Sequence, residues 1–566
     1  MTPCSCACVK SCPNMASERA LPGHSGVGTW TRLDGIMFVL CVGLLSLLPL
    51  TVHYWPGQDD PNHLAVAHIL SHYADPAAPF QRFFLVHSLV KPYGLYYVLL
   101  IGLARVVPLV TADKVLVDAV IIGLPLSVLF LLRRVAPQRT RNVFLVIPFL
   151  TSWGLMAGFV AFHLAMIPAF LFVAVVWVEA EFSLVRAALG AGLLLLCAGL
   201  HPVVAVLAGL SLVVLELEKV SSPATWLKWI GVGLPAAAFL CASWYLGAGH
   251  AAGAHATAAP DADPAILYSP IHLVFMRFPR RALAALSALE VPFRTVPFFL
   301  LAIGGYFSVR RSRLRGSREG ALARWWLVLL LGYLVLPDVL FGWNLCGLHE
   351  SVFLVFVSAC VGWIPERVPH RWVGGLTFVS LIALTAIQRR AIVALDHRVT
   401  TIVDVGSHAE AGSTLLPLLF DTRGGSFNAR PLLHSWAHLV IQRDLVMPGI
   451  FAAGRSSMGG EPFRVLSFRQ AFTPEFLPTL DEEPNVGLSD CGGNLFCELD
   501  RNHRSCSTLA VAKAYDYVLV QAAPARFVAL LLTNFELVAR QDDVLLLHSP
   551  TNRPRKFEPS GCMLPL

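Results

Sequence analysis

Two adjacent carboxylates, Asp59 and Asp60, follow the first long apolar run of the chain. A charged side chain at the edge of a bilayer is costly, so residues of this kind usually have a function. A carboxylate in this position can accept a proton from a hydroxyl group or bind a metal ion. The pair therefore predicts a general base or a metal ligand at one surface of a membrane protein.

A purely structural interpretation of the same residues is also open. Pro61 suits the first turn of a helix, and the apolar residues from His63 onward recur at helical spacing. This pattern predicts an amphipathic helix that lies on the membrane surface. Asp59 and Asp60 would then lie at the helix N-terminus, where the helix dipole favours anions, and would act only as capping residues.

Basic residues follow the acidic pair at the mouth of the next apolar run. Lys91 precedes Pro92, and Arg82 lies shortly before them. Ammonium and guanidinium groups are suited to neutralising phosphate oxygens. Carboxylates and cations at one interface therefore predict a site for a phosphorylated lipid carrier, with Lys91 and Arg82 as its ligands.

The composition of the chain shows which elements must carry these residues. The chain has 566 residues, of which 56% are hydrophobic and 14% are charged. Such values exclude a soluble domain and predict an all-α polytopic membrane bundle of about nine to eleven transmembrane helices. The net charge of +7 is not a nucleic-acid signal, because the basic residues gather in short loops such as 310–324, which we place in the cytoplasm.

The first half of the chain presents a conflict in topology. A first crossing near Gly35–His53, preceded by basic residues, predicts a cytoplasmic N-terminus. If every later apolar run crosses, the basic stretch 133–141 falls outside, against the positive-inside tendency. The conflict is removed if part of Phe80–Pro108 lies on the membrane surface and Val143–Trp177 breaks in mid-membrane near Gly158 to His163.

The composition changes after the last apolar run. We divide the chain into a cytoplasmic tail at 1–33, a transmembrane domain at 34–390 with its first outer loop at 54–92, and an extracytoplasmic α/β domain at 391–566. Short β-like runs such as Thr401–Val405 and Asp516–Gln521 support the last of these. The segments beginning at Tyr517, Phe535 and Val544 read as further strands.

On these residues the chain resembles the GT-C class of lipid-linked-sugar glycosyltransferases, in the branch of aminoarabinose transferases and protein O-mannosyltransferases. Asp59-Asp60 corresponds to the acidic pair that opens the first outer loop in that class, and Lys91-Pro92 is similar to its Lys-Pro. The stretch from Gly158 to Pro168 looks like one in uncharacterised bacterial relatives. The usual second residue of the pair is Glu, whereas this chain has Asp60.

The resemblance implies a mechanism and a location. Asp59 would be the general base, and Asp60 would orient the acceptor or bind a divalent cation, Mg²⁺ or Mn²⁺. The donor would be a polyprenyl-phosphate-linked sugar, and the acceptor a glycan, lipid or protein hydroxyl outside a bacterial-type inner membrane. The class often has a further acidic residue in a later outer loop, for which Glu179 and Glu181 are the candidates.

Further polar residues of the chain have two interpretations. His63 lies in the first outer loop, where it could bind substrate, and His349 and Glu350 lie at a membrane boundary. The latter two would bind acceptor or a cation, or would only bond to one another at the interface. Two other functions stay open for the whole chain, namely a transporter or flippase and a scaffold without activity.

Overall fold

The computed structural model describes residues 30–151, 153–177, 183–219, 222–254, 317–335, 370–424, 429–448 and 512–550, with shorter stretches at 266–267, 306, 310, 339–340, 343–344, 353–354, 356–358, 360, 450 and 465–468. The described part is mostly helical, and strands are concentrated towards the C-terminus. The predicted site residues His349 and Glu350 lie outside the described residues, as do Glu179 and Glu181.

The first helix, α1, runs from Arg32 to Leu50 and confirms the helix predicted there. A capping box starts it: the Thr31 hydroxyl accepts from the Asp34 amide at 3.2 Å, and the Asp34 carboxylate accepts from the Thr31 amide at 2.8 Å. These bonds satisfy backbone donors that a helix N-terminus leaves unpaired. The helix therefore has a defined beginning next to its apolar body.

After α1 the chain forms four short elements, which are three helices and one strand. Each of them is shorter than α1. They are α2 (Asp60–Ser71), α3 (Phe80–Phe83), β1 (Phe84–Val86) and α4 (Gly94–Ala104). The 11 residues of α4 extend about 16 Å at 1.5 Å per residue, which is too short for a bilayer core of about 30 Å. The following helix α5 (Leu109–Val135) has 27 residues and is long enough to cross.

Contacts of the basic stretch 133–141 resolve the conflict in topology. The Arg133 guanidinium lies 5.2 Å from the Trp30 ring centroid, and Arg141 lies 3.8 Å from Asp34 at the start of α1. Arg139 pairs with Glu319 at 2.6 Å, within the basic stretch 310–324. The stretch 133–141 and the described part of 310–324 therefore lie at the same end of the helices as the start of α1. Which end faces the cytoplasm stays a prediction.

The next part of the chain returns to the other end in an irregular path. Two 3₁₀ helices, Pro137–Leu145 and Ile147–Phe149, are followed by the short helix α6 (Trp153–Met156) and by α7 (Val160–Val176). Gly158 lies between α6 and α7 with φ at +86°. The predicted break in the run 143–177 is therefore present, at the N-terminal side of the range expected for it.

Five further apolar helices follow in the described part of the chain. They are α8 (Leu184–Leu200), α9 (Pro202–Leu215), α10 (Pro223–Ala254), α11 (Arg318–Val335) and α12 (His370–Gly406). Within the described residues, four helical segments are long and apolar enough to cross a membrane: Arg32–Leu50, Leu109–Val135, Thr225–Tyr245 and Trp372–Gly406. The predicted nine to eleven crossings remain a prediction.

Helix α12 contradicts one strand prediction. Thr401–Val405, expected as a β-like run, is the end of this continuous helix, which also passes through residue 390, the predicted domain boundary. Leu395, Val399 and Ile402 are buried at helical spacing. Burial of one helical face outweighs the weak preference of β-branched residues for strands, so the prediction from residue type was wrong.

Three very short strands between α10 and α12 form a small antiparallel sheet. They are β2 (Ile266–Leu267), β3 (Val339–Leu340) and β4 (Trp343–Asn344), with β3 in the middle. Each strand has two residues, so this sheet joins chain segments without forming a layer of the fold.

The C-terminal part contains a mixed four-stranded sheet. Its strands are β5 (Leu415–Leu419), β7 (Tyr517–Gln521), β8 (Glu536–Gln541) and β9 (Val544–His548), in the order β5-β7-β9-β8. The β5 and β7 strands are parallel and buried along their whole length, whereas β9 is antiparallel to both of its neighbours. The three strands predicted at the end of the chain are thereby confirmed, and an α/β arrangement follows because helix Ala525–Leu532 connects β7 and β8.

The C-terminal part packs against the first outer loop. Strand β1 pairs antiparallel with β6 (Leu466–Phe468), and His68 contacts Asp444 at 2.7 Å. The Asp396 carboxylate of α12 accepts from the amides of His53 and Tyr54 at 3.0 and 2.8 Å. The acidic pair and the C-terminal part therefore lie at the same end of the bundle.

Candidate active site

The acidic pair is buried and does not cap its helix. Asp59 occupies the N-cap position of α2 without a side-chain hydrogen bond to the helix, and Asp59 and Asp60 are each 1% exposed. Within the described residues, Asp59 Oδ2 and both carboxylate oxygens of Asp60 have no hydrogen-bond partner. Burial without pairing is costly for a carboxylate. The capping interpretation therefore does not account for the pair.

Two glycines allow the backbone to approach the pair closely. The Gln58 amide donates to Met156 O at 2.9 Å and the Asp59 amide to Ala157 O at 3.3 Å. A Cβ at Gly158 would lie 2.7 and 2.8 Å from the amides of Asp59 and Asp60, and the left-handed φ of this residue disfavours any side chain. A Cβ at Gly57 would overlap the Asp60 carboxylate. The break before α7 thus forms one wall of the site.

A histidine from the C-terminal part orients Asp59. His434 Nδ1 lies 3.1 Å from Asp59 Oδ1 and 3.2 Å from the carbonyl oxygen of Gln58. Both of these atoms are acceptors, so Nδ1 is the ring nitrogen that carries the proton and donates. The Gln58 side chain is held in turn, because its Oε1 accepts from the Arg430 amide at 3.0 Å.

Asp60 faces a third acid that the sequence analysis did not single out. Asp113, in the second turn of α5, is 2% exposed and interacts electrostatically with Asp60. Burial raises the pKa of the Asp60 carboxyl well above its ordinary value, and the charges of Asp113 and Asp59 raise it further. Asp60 therefore holds a proton over a wider pH range than an exposed aspartate.

His63 and two tyrosines line the side of the site towards α4. His63 Nδ1 lies 2.9 Å from the Tyr97 hydroxyl, and its ring stacks edge-on against Tyr96 at 5.4 Å. Burial lowers the pKa of His63 to about 4, partly offset by the charge of Asp59. At neutral pH the imidazole is uncharged and acts as a hydrogen-bonding group rather than as a cation.

The predicted phosphate ligands lie at the edge of this arrangement. Lys91 is half-buried in the turn before α4, where Tyr93 adopts a left-handed φ of 67° and Gly94 donates to Lys91 O at 2.9 Å. Burial lowers the pKa of the Lys91 ammonium group. Arg82 is exposed on α3, with its guanidinium 5.3 Å from the Phe83 ring centroid. Of the two, only Lys91 belongs to the segment that packs on α2 through Tyr97.

The sequence analysis missed Asp113 and His434. An acid in the second turn of an apolar run of membrane length was a usable signal for Asp113, since such residues are functional by default. His434 carried no local signal, because 376 residues separate it from Gln58, which it contacts. Across the described ranges, no group of three or more His, Cys, Asp or Glu residues is arranged to hold a metal ion. Metal binding by Asp60 stays a prediction.

The chain is similar to solved structures of two glycosyltransferases. No family model and no curated protein matches the sequence. Among solved structures, the chain is similar to the arabinofuranosyltransferase AftD from mycobacteria at 15% identity and a TM-score of 0.46, over 93% of this chain and 40% of AftD. It is also similar to ArnT from Cupriavidus metallidurans, bound to undecaprenyl phosphate (11% identity, TM-score 0.47, over 94% of this chain and 98% of ArnT) and in the apo state (12%, 0.47, 94% and 100%).

Both neighbours are GT-C glycosyltransferases, the class that the acidic pair and Lys91-Pro92 resemble. The chain spans less than half of the length of AftD. Identities of 15% or less and TM-scores below 0.5 assign neither a family nor an activity to this chain. Its function is therefore argued from its own residues.

Proposed function

We propose that this chain is a membrane glycosyltransferase that moves a sugar from a polyprenyl-phosphate donor to an acceptor hydroxyl outside the cytoplasm. One observation carries the proposal. Asp59 is buried, its Oδ1 is held by His434, and its Oδ2 has no partner among the described residues. An oriented carboxylate with one available oxygen is the arrangement that a general base needs.

The proposed transfer step uses Asp59 as the base and the basic residues near the phosphate. Asp59 Oδ2 accepts the proton of the acceptor hydroxyl as its oxygen attacks the anomeric carbon of the donor. The bond between that carbon and the phosphate oxygen breaks, and polyprenyl phosphate leaves with the electron pair. Attack from the face opposite the phosphate inverts the configuration of the sugar. Lys91, with Arg82 further out, neutralises the charge that the phosphate gains.

Asp60 has a different part in this proposal. Its raised pKa favours the protonated form, which can donate a hydrogen bond to a hydroxyl of the acceptor and thereby orient it. A proton on Asp60 also removes the repulsion that two ionised neighbours would exert on each other. Asp59 then carries the negative charge of the pair. No metal ion is required for this division of roles.

The test exchanges the base for its amide. In cells that lack the chain, complementation with Asp59→Asn should leave the envelope glycan profile in the deletion state, and single-turnover transfer should fall by about 10²–10⁴-fold. Asp75→Asn is the matched control, because Asp75 is an exposed carboxylate of the same loop. Both variants are compared with the parent at equal membrane abundance.

The outcomes separate the candidate functions. Loss of one glycan in both the deletion and Asp59→Asn, with Asp75→Asn normal, supports the transferase and identifies its product. A normal profile for Asp59→Asn overturns the base role. A scaffold or a transporter would then be the function that fits.

A further inference from the structure

We propose that a cavity formed by the segments that also carry the acidic pair is a binding subsite for an uncharged sugar ring of the acceptor. The cavity has a volume of about 210 Å³ and is lined by apolar and polar residues of the first outer loop, the start of α5 and helix α13 (His438–Arg443), and most of its surface is apolar. The inference deepens the proposed function, and rests on it in taking the ligand to be the acceptor. It commits to a glycan as that acceptor.

The cavity and the acidic pair are formed by the same three segments of the chain. Lys114 lines the cavity, while the preceding residue, Asp113, faces Asp60. His438 lines the cavity, while His434, one helical turn earlier, contacts Asp59. A glycan with one ring in the cavity could therefore present a hydroxyl of a neighbouring ring to Asp59.

His438 is the residue that indicates a ligand. It is 2% exposed and lines the cavity, yet neither of its ring nitrogens has a partner within the described part of the chain. Leaving a buried polar atom unpaired is costly, so a partner for these nitrogens is expected. Burial, with a smaller contribution from His53, lowers the pKa of His438 to about 3. The neutral ring offers one donor and one acceptor, which is also what a sugar hydroxyl offers in return.

Tyr54 supplies a second polar contact and an aromatic face. The Gln442 side-chain amide donates to the Tyr54 hydroxyl oxygen at 2.9 Å, so the Tyr54 proton is left to donate to a ligand. The Tyr54 ring lies 4.3 Å from that of His438 and 4.4 Å from that of His53. An apolar surface with an aromatic ring and a few polar groups, here the Tyr54 hydroxyl and the His438 ring, suits the flat face and the hydroxyl groups of a sugar ring.

The charges around the cavity disfavour an anionic ligand. Lys114 is the cation of the lining, and its Nζ already donates to Val52 O at 3.0 Å. Asp396 and Asp404 act electrostatically on Tyr54, and Asp113 and Asp118 act on Lys114. Asp396 and Asp404 would repel a phosphate beside Tyr54, and Lys114 already interacts with two carboxyl groups.

The size of the cavity limits its occupant further. At about 210 Å³ it is smaller than the roughly 300–1,000 Å³ of pockets that hold drug-sized ligands. One monosaccharide ring is of the right order, whereas a lipid carrier or a long glycan is not. The remainder of an oligosaccharide would extend through the open side.

The test measures binding without turnover. Methyl glycosides of neutral hexoses and pentoses are titrated against the full chain in nanodiscs, carrying Asp59→Asn to prevent transfer, and followed by saturation-transfer NMR. Adding His438→Phe, which keeps a ring but removes both nitrogens, should weaken binding by about tenfold, as the loss of one or two hydrogen bonds predicts. Adding His438→Gln, which restores a donor and an acceptor, should recover part of the affinity.

Controls and contrary outcomes keep the subsite distinct from the transferase proposal. Ile441→Val, a change at an apolar residue of the same lining, should alter the affinity by less than about twofold, because it removes no hydrogen bond. Equal affinity in the presence and absence of His438→Phe would overturn the subsite, as would displacement of the glycosides by inorganic phosphate. The binding assay requires no catalysis. If Asp59→Asn failed to abolish transfer, the binding result would still stand. If His438→Phe had no effect on binding, the transfer result would still stand.

Discussion

The two neighbouring carboxylates of the site have different surroundings. Asp59 is oriented by His434 Nδ1, whereas Asp60 has no hydrogen-bond partner in the described residues and faces Asp113. The same residue type is thereby placed in two environments, one hydrogen-bonded and one not. Such differences separate acid and base roles in many active sites, since they move the two pKa values apart.

Asp60 leads to a prediction about stability and pH. Its folded-state pKa is raised, so between the unfolded pKa of about 4 and the folded-state pKa the unfolded chain releases a proton that the folded chain retains, and the parent loses folding free energy over that range. Asp60→Asn cannot ionise. The midpoint of thermal unfolding of Asp60→Asn should therefore rise relative to the parent as the pH increases from about 4 to about 8, with the smallest difference at the acidic end. Differential scanning fluorimetry in detergent measures both proteins, and a difference independent of pH would contradict the prediction.

The interruption between α6 and α7 contributes to the site. The chain leaves helical geometry between α6 and α7, and the carbonyl groups freed there accept from the amides of Gln58 and Asp59. Irregular backbone at membrane depth is tolerated where protein groups satisfy it. The break therefore holds the backbone of the acidic pair in place, and the amides of Gln58 and Asp59 satisfy the carbonyl groups of the break.

Gly158 provides the test of this mutual support. Gly158→Ala places a Cβ 2.7 to 2.9 Å from backbone and side-chain atoms of Asp59 and Asp60 at a φ of +86°. We expect a loss of about 2–4 kcal/mol of stability and at least about tenfold lower transfer, because strain at one such residue costs about 1–3 kcal/mol before any clash. Thermal unfolding and the glycan profile are measured together.

The control for Gly158→Ala is a helical glycine with space around it. A Cβ added at Gly43 of α1 would have no atom of another segment within 4 Å. Gly43→Ala should be neutral or stabilising by up to about 1 kcal/mol, since alanine is the better helix former. Equal behaviour of the two variants would show that Gly158 does not hold the acidic pair.

The complete chain joins segments that are far apart in sequence. The first outer loop is held by α12 through Asp396, by the C-terminal part through His68 and Asp444, and by the pairing of β1 with β6. The C-terminal part therefore belongs to the site itself, because it supplies His434. Binding of the acceptor by this part stays a proposal.

Asp396 tests that connection. Asp396→Ala removes the acceptor of the His53 and Tyr54 amides. Leaving the partly buried Tyr54 amide unpaired should cost about 1–3 kcal/mol, whereas the exposed His53 amide can bond to water instead. Transfer should fall together with thermal stability, because the loop that carries Asp59 loses an anchor. Asp404→Asn on the exposed face of the same helix is the control. Unchanged activity of Asp396→Ala would show that the loop is held by its other contacts.

Local patterns in the sequence were sufficient for the helical character, the helix over residues 32–50, the helix after Pro61, the interruption near Gly158 and the last three strands. Each of these follows from hydrophobic periodicity, length or a special backbone residue within one short segment. The acidic pair was also recognisable, since charge beside an apolar run is rare. By contrast, Thr401–Val405 was misassigned because the burial of α12 outweighed residue preference.

Tertiary structure alone decided what the carboxylates contact. His434 meets Asp59, and Asp113 meets Asp60, only after α1, α5 and α12 have packed side by side. No periodicity encodes a contact across 376 residues, because such a contact depends on the summed packing of all intervening elements. For the same reason, the sequence left capping and catalysis open as roles for Asp59, and the fold favours catalysis by burying the carboxylate with one oxygen unpaired among the described residues.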